Sequence, residues 1–208
     1  MDFSSCANLI KEADVYAILF WAYIAIAFLT LCPTLLKIVK GVSLNPGGAS
    51  FEKSSHFTED SKVLLTQHYS RLMGTLGFWK KRAETFTSFH YYCVVWTILS
   101  SWAVPVIASQ SSATSPYAKA FLVLVSSHVA LALSFHKGLR VADGMKAFRH
   151  GESEFYDLYR RLLDRPAELG PDERTQIDYY FSEVEKIRRF VRSSETESMP
   201  SIDSVKTK

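Results

Sequence analysis

The stretch VYAILFWAYIAIAFLTLCPTLL, residues 15–36, contains no charged residue and has no polar face. As a helix it would be about 33 Å long at 1.5 Å per residue, enough to cross a bilayer core of about 30 Å. Two further uncharged stretches follow, at residues 85–118 and 120–136. Together they predict an all-α integral membrane protein with three transmembrane helices. A two-span arrangement is the main alternative.

The first apolar stretch is predicted to be a retained anchor within residues 1–37. A secretory leader begins with basic residues and ends in a small-residue cleavage site. Here the leading segment carries Asp2, Glu12 and Asp14 against a single lysine, Lys11, and no A-x-A site follows the apolar run.

The distribution of basic residues predicts the orientation in the membrane. Of 24 Lys and Arg residues, only Lys11 and Lys119 lie on one side of the three predicted spans. Cytoplasmic loops are enriched in basic residues, so the N-terminus is predicted outside and the C-terminus in the cytoplasm. The third span, residues 117–136, is the shortest, and it reaches across if the Lys119 side chain extends to the interface.

Residues 38–58 are rich in Gly, Ser and Pro and are predicted to form a cytoplasmic loop. A helix is predicted to start at residue 59 and to run into the second span, residues 85–108. Its apolar residues recur at steps of three and four, which is typical of a helix that packs along a seam. These residues are Leu65, Tyr69, Leu72, Leu76, Trp79, Ala83 and Phe86.

A second apolar seam follows the third span. The connection at residues 109–116 is short and polar, so the second and third spans must be antiparallel neighbours. Their cytoplasmic extensions are predicted to pack as an antiparallel helical stalk within residues 59–163. The side chains expected to form an oligomer seam on this stalk are Leu72, Leu76, Trp79, Met145, Phe148 and Phe155.

A last cytoplasmic helix is predicted within residues 164–194, after a helix break that contains two prolines and a glycine. Tyr180, Ile187 and Arg188 on this helix are candidates for docking a partner. Residues 195–208 have few apolar side chains and are predicted to form a flexible tail.

Composition disfavours several function classes. The sequence lacks GxSxG, Walker A, HExxH and CxxC motifs, and its six His and three Cys residues are scattered. We therefore expect no enzymatic activity, no metal site and no cofactor. The segment after His136 carries as many acidic as basic residues, so nucleic acid is not an expected partner.

The polar residues of the predicted hairpin allow two interpretations. His128 lies in mid-span, where an ionisable residue suggests a functional site, although polar groups also join helices to one another. The same alternatives apply to four serines, which either pack helices together or line a water-filled path. One hairpin is too thin to enclose a channel, so a path requires an oligomer. These serines are Ser100, Ser101, Ser127 and Ser134.

The order of these elements resembles the SLATT family of membrane proteins. The resemblance lies in the junction LGFWKKRAETF, the hairpin with Pro105 near its outer end, the pattern FxxxxxxFYDLYRRLL and the final RRFVRSSETESMPS. It implies a pore-forming effector of antiviral or conflict systems, a homo-oligomer in a bacterial inner membrane. A nucleotide-signal sensor or another cytoplasmic trigger protein would be its partner. The extra N-terminal span departs from the two-span pattern of the family.

Two function hypotheses follow. The first is a non-enzymatic membrane effector that oligomerises and permeabilises the inner membrane. The second is a membrane-anchored scaffold that recruits a cytoplasmic partner through its last helix. A membrane enzyme is disfavoured because acid-base catalysis needs positioned titratable pairs, which the spans do not supply.

Overall fold

The computed structural model describes residues 3–45, 50–110 and 116–198. This described part is helical and contains no strand. It has short 3₁₀ helices at Phe51–Lys53 and Pro166–Glu168, together with five α-helices. These are α1 (Phe3–Val39), α2 (Glu59–Gln110), α3 (Pro116–Gly138), α4 (Val141–Asp164) and α5 (Glu173–Ser198).

The chain divides into two compact units. We call the first the span unit; it comprises Met1–Leu36 and Thr87–Val141, and so contains most of α1, the second part of α2, and α3. We call the second the helical module; it comprises Lys37–Phe86 and Ala142–Lys208, and so contains the first part of α2, α4 and α5.

Among the described residues, three helices are long and apolar enough to cross a membrane. They are Val15–Val39, Glu59–Ser109 and Pro116–Gly138, and the three predicted spans lie within them. Helix α2 continues through Pro105 and α1 through Pro33. Most of the connection between α2 and α3, residues 111–115, lies outside the described residues.

The outer surface of the span unit is apolar. Large side chains such as Ile18, Trp21 and Phe28 on α1 and Trp102 on α2 are each more than 60% exposed. Exposed apolar surface of this extent is unfavourable in water and suits lipid as the surrounding medium.

The helical module has a core of its own. Side chains on one stripe of α2 pack with those of α4 and α5. Ring contacts join Phe86 and Phe78 to Phe148, and Tyr69 to Phe155. Residues later in α2 therefore meet residues earlier in α4, so the two segments run in opposite directions.

The segment predicted as a loop, residues 38–58, supplies part of this core. Phe51 and Phe57 are buried, and the Phe51 ring lies 4.6 Å from the ring of Tyr159 and 6.1 Å from that of Tyr180. Gly, Ser and Pro make this segment irregular, but its two phenylalanines anchor it on the module. Residues 46–49 lie outside the described residues.

Helix α5 begins at a side-chain cap. The Asp172 carboxylate accepts hydrogen bonds from the Thr175 backbone N–H and hydroxyl, each at 2.9 Å. These bonds, led by the one from the Thr175 backbone, lower the pKa of Asp172. The helix continues to Ser198, past the predicted start of the tail at residue 195. Residues 199–208 lie outside the described residues.

The third span and the second stalk helix are separate elements. Helix α3 ends at Gly138, and Arg140 has a positive φ of 44° before α4 begins at Val141. The Arg140 N–H donates to the Lys137 carbonyl at 3.0 Å, which closes the turn.

Candidate functional site

Three helices of the span unit meet at His128. The Tyr23 hydroxyl on α1 lies 2.6 Å from His128 Nδ1, and the Tyr92 hydroxyl on α2 lies 2.7 Å from His128 Nε2. We call Tyr23, Tyr92 and His128 the polar clasp. Both ring nitrogens of the histidine are hydrogen-bonded, so the polar side chain is satisfied in an apolar environment.

The chemistry of imidazole sets the direction of these two hydrogen bonds. In neutral imidazole one nitrogen donates a hydrogen bond and the other accepts one. One tyrosine hydroxyl therefore accepts a hydrogen bond from His128, and the other donates one to it. The buried Ser100 hydroxyl lies beside Tyr23 and makes no well-formed hydrogen bond with the described residues. Either tautomer of His128 therefore satisfies both tyrosine hydroxyls.

Further polar contacts join the same helices. The Trp96 indole N–H on α2 donates to the Thr30 hydroxyl on α1 at 3.0 Å. Thr30 in turn donates to the Ile26 carbonyl at 2.8 Å. Each span therefore contacts another through a specific polar pair as well as by apolar packing.

A pair of histidines joins α2 to α3. His90 Nδ1 lies 2.8 Å from His136 Nε2, and the ring centres are 5.0 Å apart. One of these nitrogens must carry a proton and the other must accept it. Among the described residues, no group of three His, Cys, Asp or Glu side chains is placed to hold a metal ion.

No known protein family, curated protein or solved structure matches this chain. The resemblance to the SLATT family therefore stays a prediction.

The structure separates the polar residues predicted to face a pore or to pack helices. His128 and Ser100 lie inside the span unit of one chain. Ser101, Ser127 and Ser134 lie on its outer surface. The Ser101 hydroxyl donates to the Thr97 carbonyl and the Ser134 hydroxyl to the Ala130 carbonyl, each at 2.7 Å.

The predicted oligomer seam lies in the core of the helical module. Five of its side chains are buried there within the one chain, namely Leu72, Leu76, Trp79, Phe148 and Phe155. Met145 is partly buried. In this structure these residues pack α2 against the other elements of the module.

The predicted docking residues on α5 differ in their accessibility. Tyr180 is completely buried, so it is not available to a partner in this structure. Ile187 and Arg188 are partly exposed. Burial raises the pKa of Tyr180, and the neighbouring Tyr159 and Tyr69 add to this effect.

A half-buried acid interrupts the apolar face of α4. Burial raises the pKa of Glu152, while the nearby Lys80 and Arg149 act to lower it. One turn later, burial and the Glu152 carboxylate raise the pKa of Tyr156 to about 12. Both groups therefore favour their neutral forms more than they would in water.

Sequence reasoning missed the partners of His128. Tyr23 is 105 residues away along the chain and Tyr92 is 36 residues away. The only available signal was that each tyrosine places one polar group inside a long apolar run, where a hydrogen-bond partner is needed.

Proposed function

We propose that this chain is a homo-oligomeric membrane effector that opens a leak across the bilayer between its copies. The observation that carries the proposal is a stripe of small side chains on α3 that one chain leaves exposed. We call it the α3 outer stripe; it consists of Ala120, Ser127, Ala130 and Ser134.

Small residues let helices approach closely in lipid, where apolar side chains gain little by leaving the solvent. The four positions follow one another at steps of seven, three and four, so they share one face of α3. The Ser134 hydroxyl is already bonded to the Ala130 carbonyl and presents a small, satisfied surface. Such a face fits a helix of a second copy.

Two small residues of α2, in contrast, are buried rather than exposed. Cys93 and Ser100 are buried within the span unit, and the Cys93 thiol donates to the Ala132 carbonyl at 3.6 Å. The interior of one span unit is thus occupied by side chains. A conduit would therefore lie between copies that contact one another through the α3 outer stripe.

The basic residues support an orientation with the N-terminus outside and the helical module in the cytoplasm. In this proposal the module is an antiparallel stalk with a third helix, α5. The resemblance to SLATT proteins supports a bacterial inner membrane. A trigger, whether a nucleotide-signal sensor or another protein, would act by favouring one packing of this module over another, since equal affinity for two states shifts nothing.

The proposal is tested by inducing the full chain at high level in a bacterial host, where mass action favours the oligomer without a trigger, and following membrane potential with a dye. We expect depolarisation with the wild type and its loss with Ala130→Leu, which adds bulk to the α3 outer stripe. Ala25→Leu is the matched control, because Ala25 is an exposed position on α1. Intact potential with the wild type, or equal loss in both variants, would contradict the proposal.

The second candidate function is a membrane-anchored scaffold. It is favoured by two exposed aromatic side chains on α5, Tyr179 at 42% and Phe190 at 47%. Aromatic residues are enriched at protein interfaces. If the cellular effect of the chain survives Ala130→Leu and is lost in the double variant Tyr179→Ala/Phe190→Ala, the scaffold is the better description.

A further inference from the structure

The helical module contains a cavity of about 340 Å³ between α2 and α5. Arg188 and Arg192 lie on its α5 side, and Gly74, Thr75 and Phe78 lie on its α2 side. Pockets that bind small molecules have volumes of roughly 300–1,000 Å³. The cavity is therefore large enough for a small ligand.

We propose that this cavity is a binding site for a phosphate group. Arg188 and Arg192 are four residues apart, so they share one face of α5 and point into one cavity. Each guanidinium offers five N–H donors in a planar fork, the geometry that matches phosphate oxygens. The Thr75 hydroxyl adds a neutral donor on the opposite wall.

The charges around the cavity suit an anion that carries more than one negative charge. The Arg82 guanidinium lies 5.3 Å from the centre of the Phe78 ring and adds positive charge near the α2 wall. Glu195 also lines the cavity and offsets part of this charge. A phosphate that is doubly charged near neutral pH keeps a favourable interaction with the two arginines despite that carboxylate.

Gly74 leaves open space on the α2 wall of the cavity. A glycine inside a helix costs about 1 kcal/mol relative to alanine. At positions 144 and 151 close packing explains why the residue is glycine. An added Cβ would lie too close to Phe86 at Gly144 and to Val191 at Gly151. At Gly74 an added Cβ would have no atom within 4 Å. Side chains of the same chain therefore do not fill the space at Gly74, and a larger side chain placed there would extend into the cavity.

The phosphate could belong to a soluble molecule or to a lipid headgroup. The two sources share the chemistry of the site, and the experiment has one arm for each. The first arm titrates sodium pyrophosphate into the full chain in an uncharged detergent and follows heat by calorimetry. The second titrates phosphatidic acid, a lipid with a phosphomonoester headgroup, into the same micelles and follows heat in the same way, with phosphatidylcholine as the comparison.

We expect saturable binding of pyrophosphate or of phosphatidic acid with the wild type. The double variant Arg188→Gln/Arg192→Gln should weaken that binding at least roughly tenfold, the equivalent of one lost charge-assisted contact. The matched control is Arg160→Gln/Arg189→Gln, which removes the same charge from exposed positions on α4 and α5 and should bind as the wild type does.

Gly74→Leu tests the cavity without removing charge. It should fill the space and abolish binding, whereas Gly74→Ala should leave most of the space open and retain it. Both changes raise helix propensity, so neither is expected to unfold α2. Unchanged far-UV circular dichroism confirms that a loss of binding is local.

Pyrophosphate binding assigns the site to a soluble phosphate, and binding of phosphatidic acid without pyrophosphate binding assigns it to a headgroup. The proposal is overturned if neither probe binds the wild type, or if both double variants weaken binding equally. No leak is measured in these titrations, so their outcome is independent of the proposed membrane activity.

Discussion

Glu173, in the first turn of α5, accepts two hydrogen bonds from Thr58 at the start of α2. They come from the Thr58 backbone N–H at 3.0 Å and from its hydroxyl at 2.8 Å. The carboxylate of one helix thus lies at the N-terminus of another, where the helix dipole favours a negative charge. The hydrogen bond from the Ser61 side chain, together with those from Thr58, lowers the pKa of Glu173.

This contact makes the stability of the helical module depend on pH. Because the pKa of Glu173 is lower in the folded state, its contribution is fully present above the unfolded-state pKa and is lost as pH falls through the folded-state pKa. We expect Glu173→Gln to lower the melting temperature at pH 7, by about 2–4 °C. The difference from the wild type should shrink as pH falls below 4.

Thermal unfolding of the detergent-solubilised chain between pH 7 and pH 3 measures this effect. Glu183→Gln is a suitable control because Glu183 pairs with Lys186 on the same helix, at 2.6 Å, and bonds to no other element in the described contacts. A Glu173→Gln penalty that stays constant over this pH range would contradict the assignment to the carboxylate charge.

Packing at Gly151 predicts a substitution that can be rescued. An added Cβ would collide with Val191 Cγ2 and would approach the Trp79 ring to 3.4 Å. Overpacking of a core typically costs 1–3 kcal/mol, and alanine gains about 0.5–1 kcal/mol over glycine inside a helix, so we expect Gly151→Ala to destabilise the module by about 1 kcal/mol net. Val191→Ala removes the colliding methyl group and should recover part of this loss in the double variant.

Gly77→Ala is the control for Gly151→Ala, since a Cβ at Gly77 meets no atom within 4 Å. It should stabilise α2 by about 0.5–1 kcal/mol. If Gly151→Ala is as well tolerated as Gly77→Ala in denaturant titrations, α4 and α5 do not approach as closely as the structure shows.

The polar clasp predicts a stability loss in the span unit. Tyr23→Phe and Tyr92→Phe each remove one hydroxyl from His128, and each should cost about 1 kcal/mol, the usual size of a hydrogen bond between membrane helices. His128→Leu should cost more than either, because it leaves two tyrosine hydroxyls without that partner. Unfolding in mixed micelles followed by tryptophan fluorescence measures these changes.

Tyr91→Phe is the matched control, because Tyr91 is exposed on the same helix. A double-mutant cycle between Tyr23→Phe and His128→Leu should show that the two losses are not additive. Additive losses would indicate that the two side chains do not interact.

Phe51 predicts that the segment before α2 contributes to stability. Its side chain is buried against Tyr159 and Tyr180, so Phe51→Ala should cost about 3–5 kcal/mol. Phe190→Ala, at a half-exposed position on α5, should cost much less. Equal effects on the unfolding midpoint would mean that Phe51 is not part of the core.

The helices could be predicted from the sequence because their signals are local. Long uncharged runs marked the spans, and steps of three and four along α2 predicted a packed seam. Leu72, Leu76 and Trp79 of that seam are buried within the one chain. Which helix packs on a seam depends on residues far away in the sequence or in another copy. Periodicity therefore could not distinguish packing within the chain from packing between copies.

Other features were hidden for related reasons. Phe51 and Phe57 are isolated apolar residues in a Gly- and Ser-rich segment, so no periodicity marked them as core. Tyr180 was proposed for docking because it lies on the apolar face of α5, and that face is the one the module buries. The contact between Glu173 and Thr58 joins residues 115 positions apart.

The mass of the complex purified from membranes in mild detergent tests the proposed function most directly. We predict a defined multiple of the 23.6 kDa chain for the wild type and a shift towards the single chain for Ala130→Leu. A wild-type mass equal to one chain at every protein concentration would contradict the proposed homo-oligomer, and with it a leak between copies.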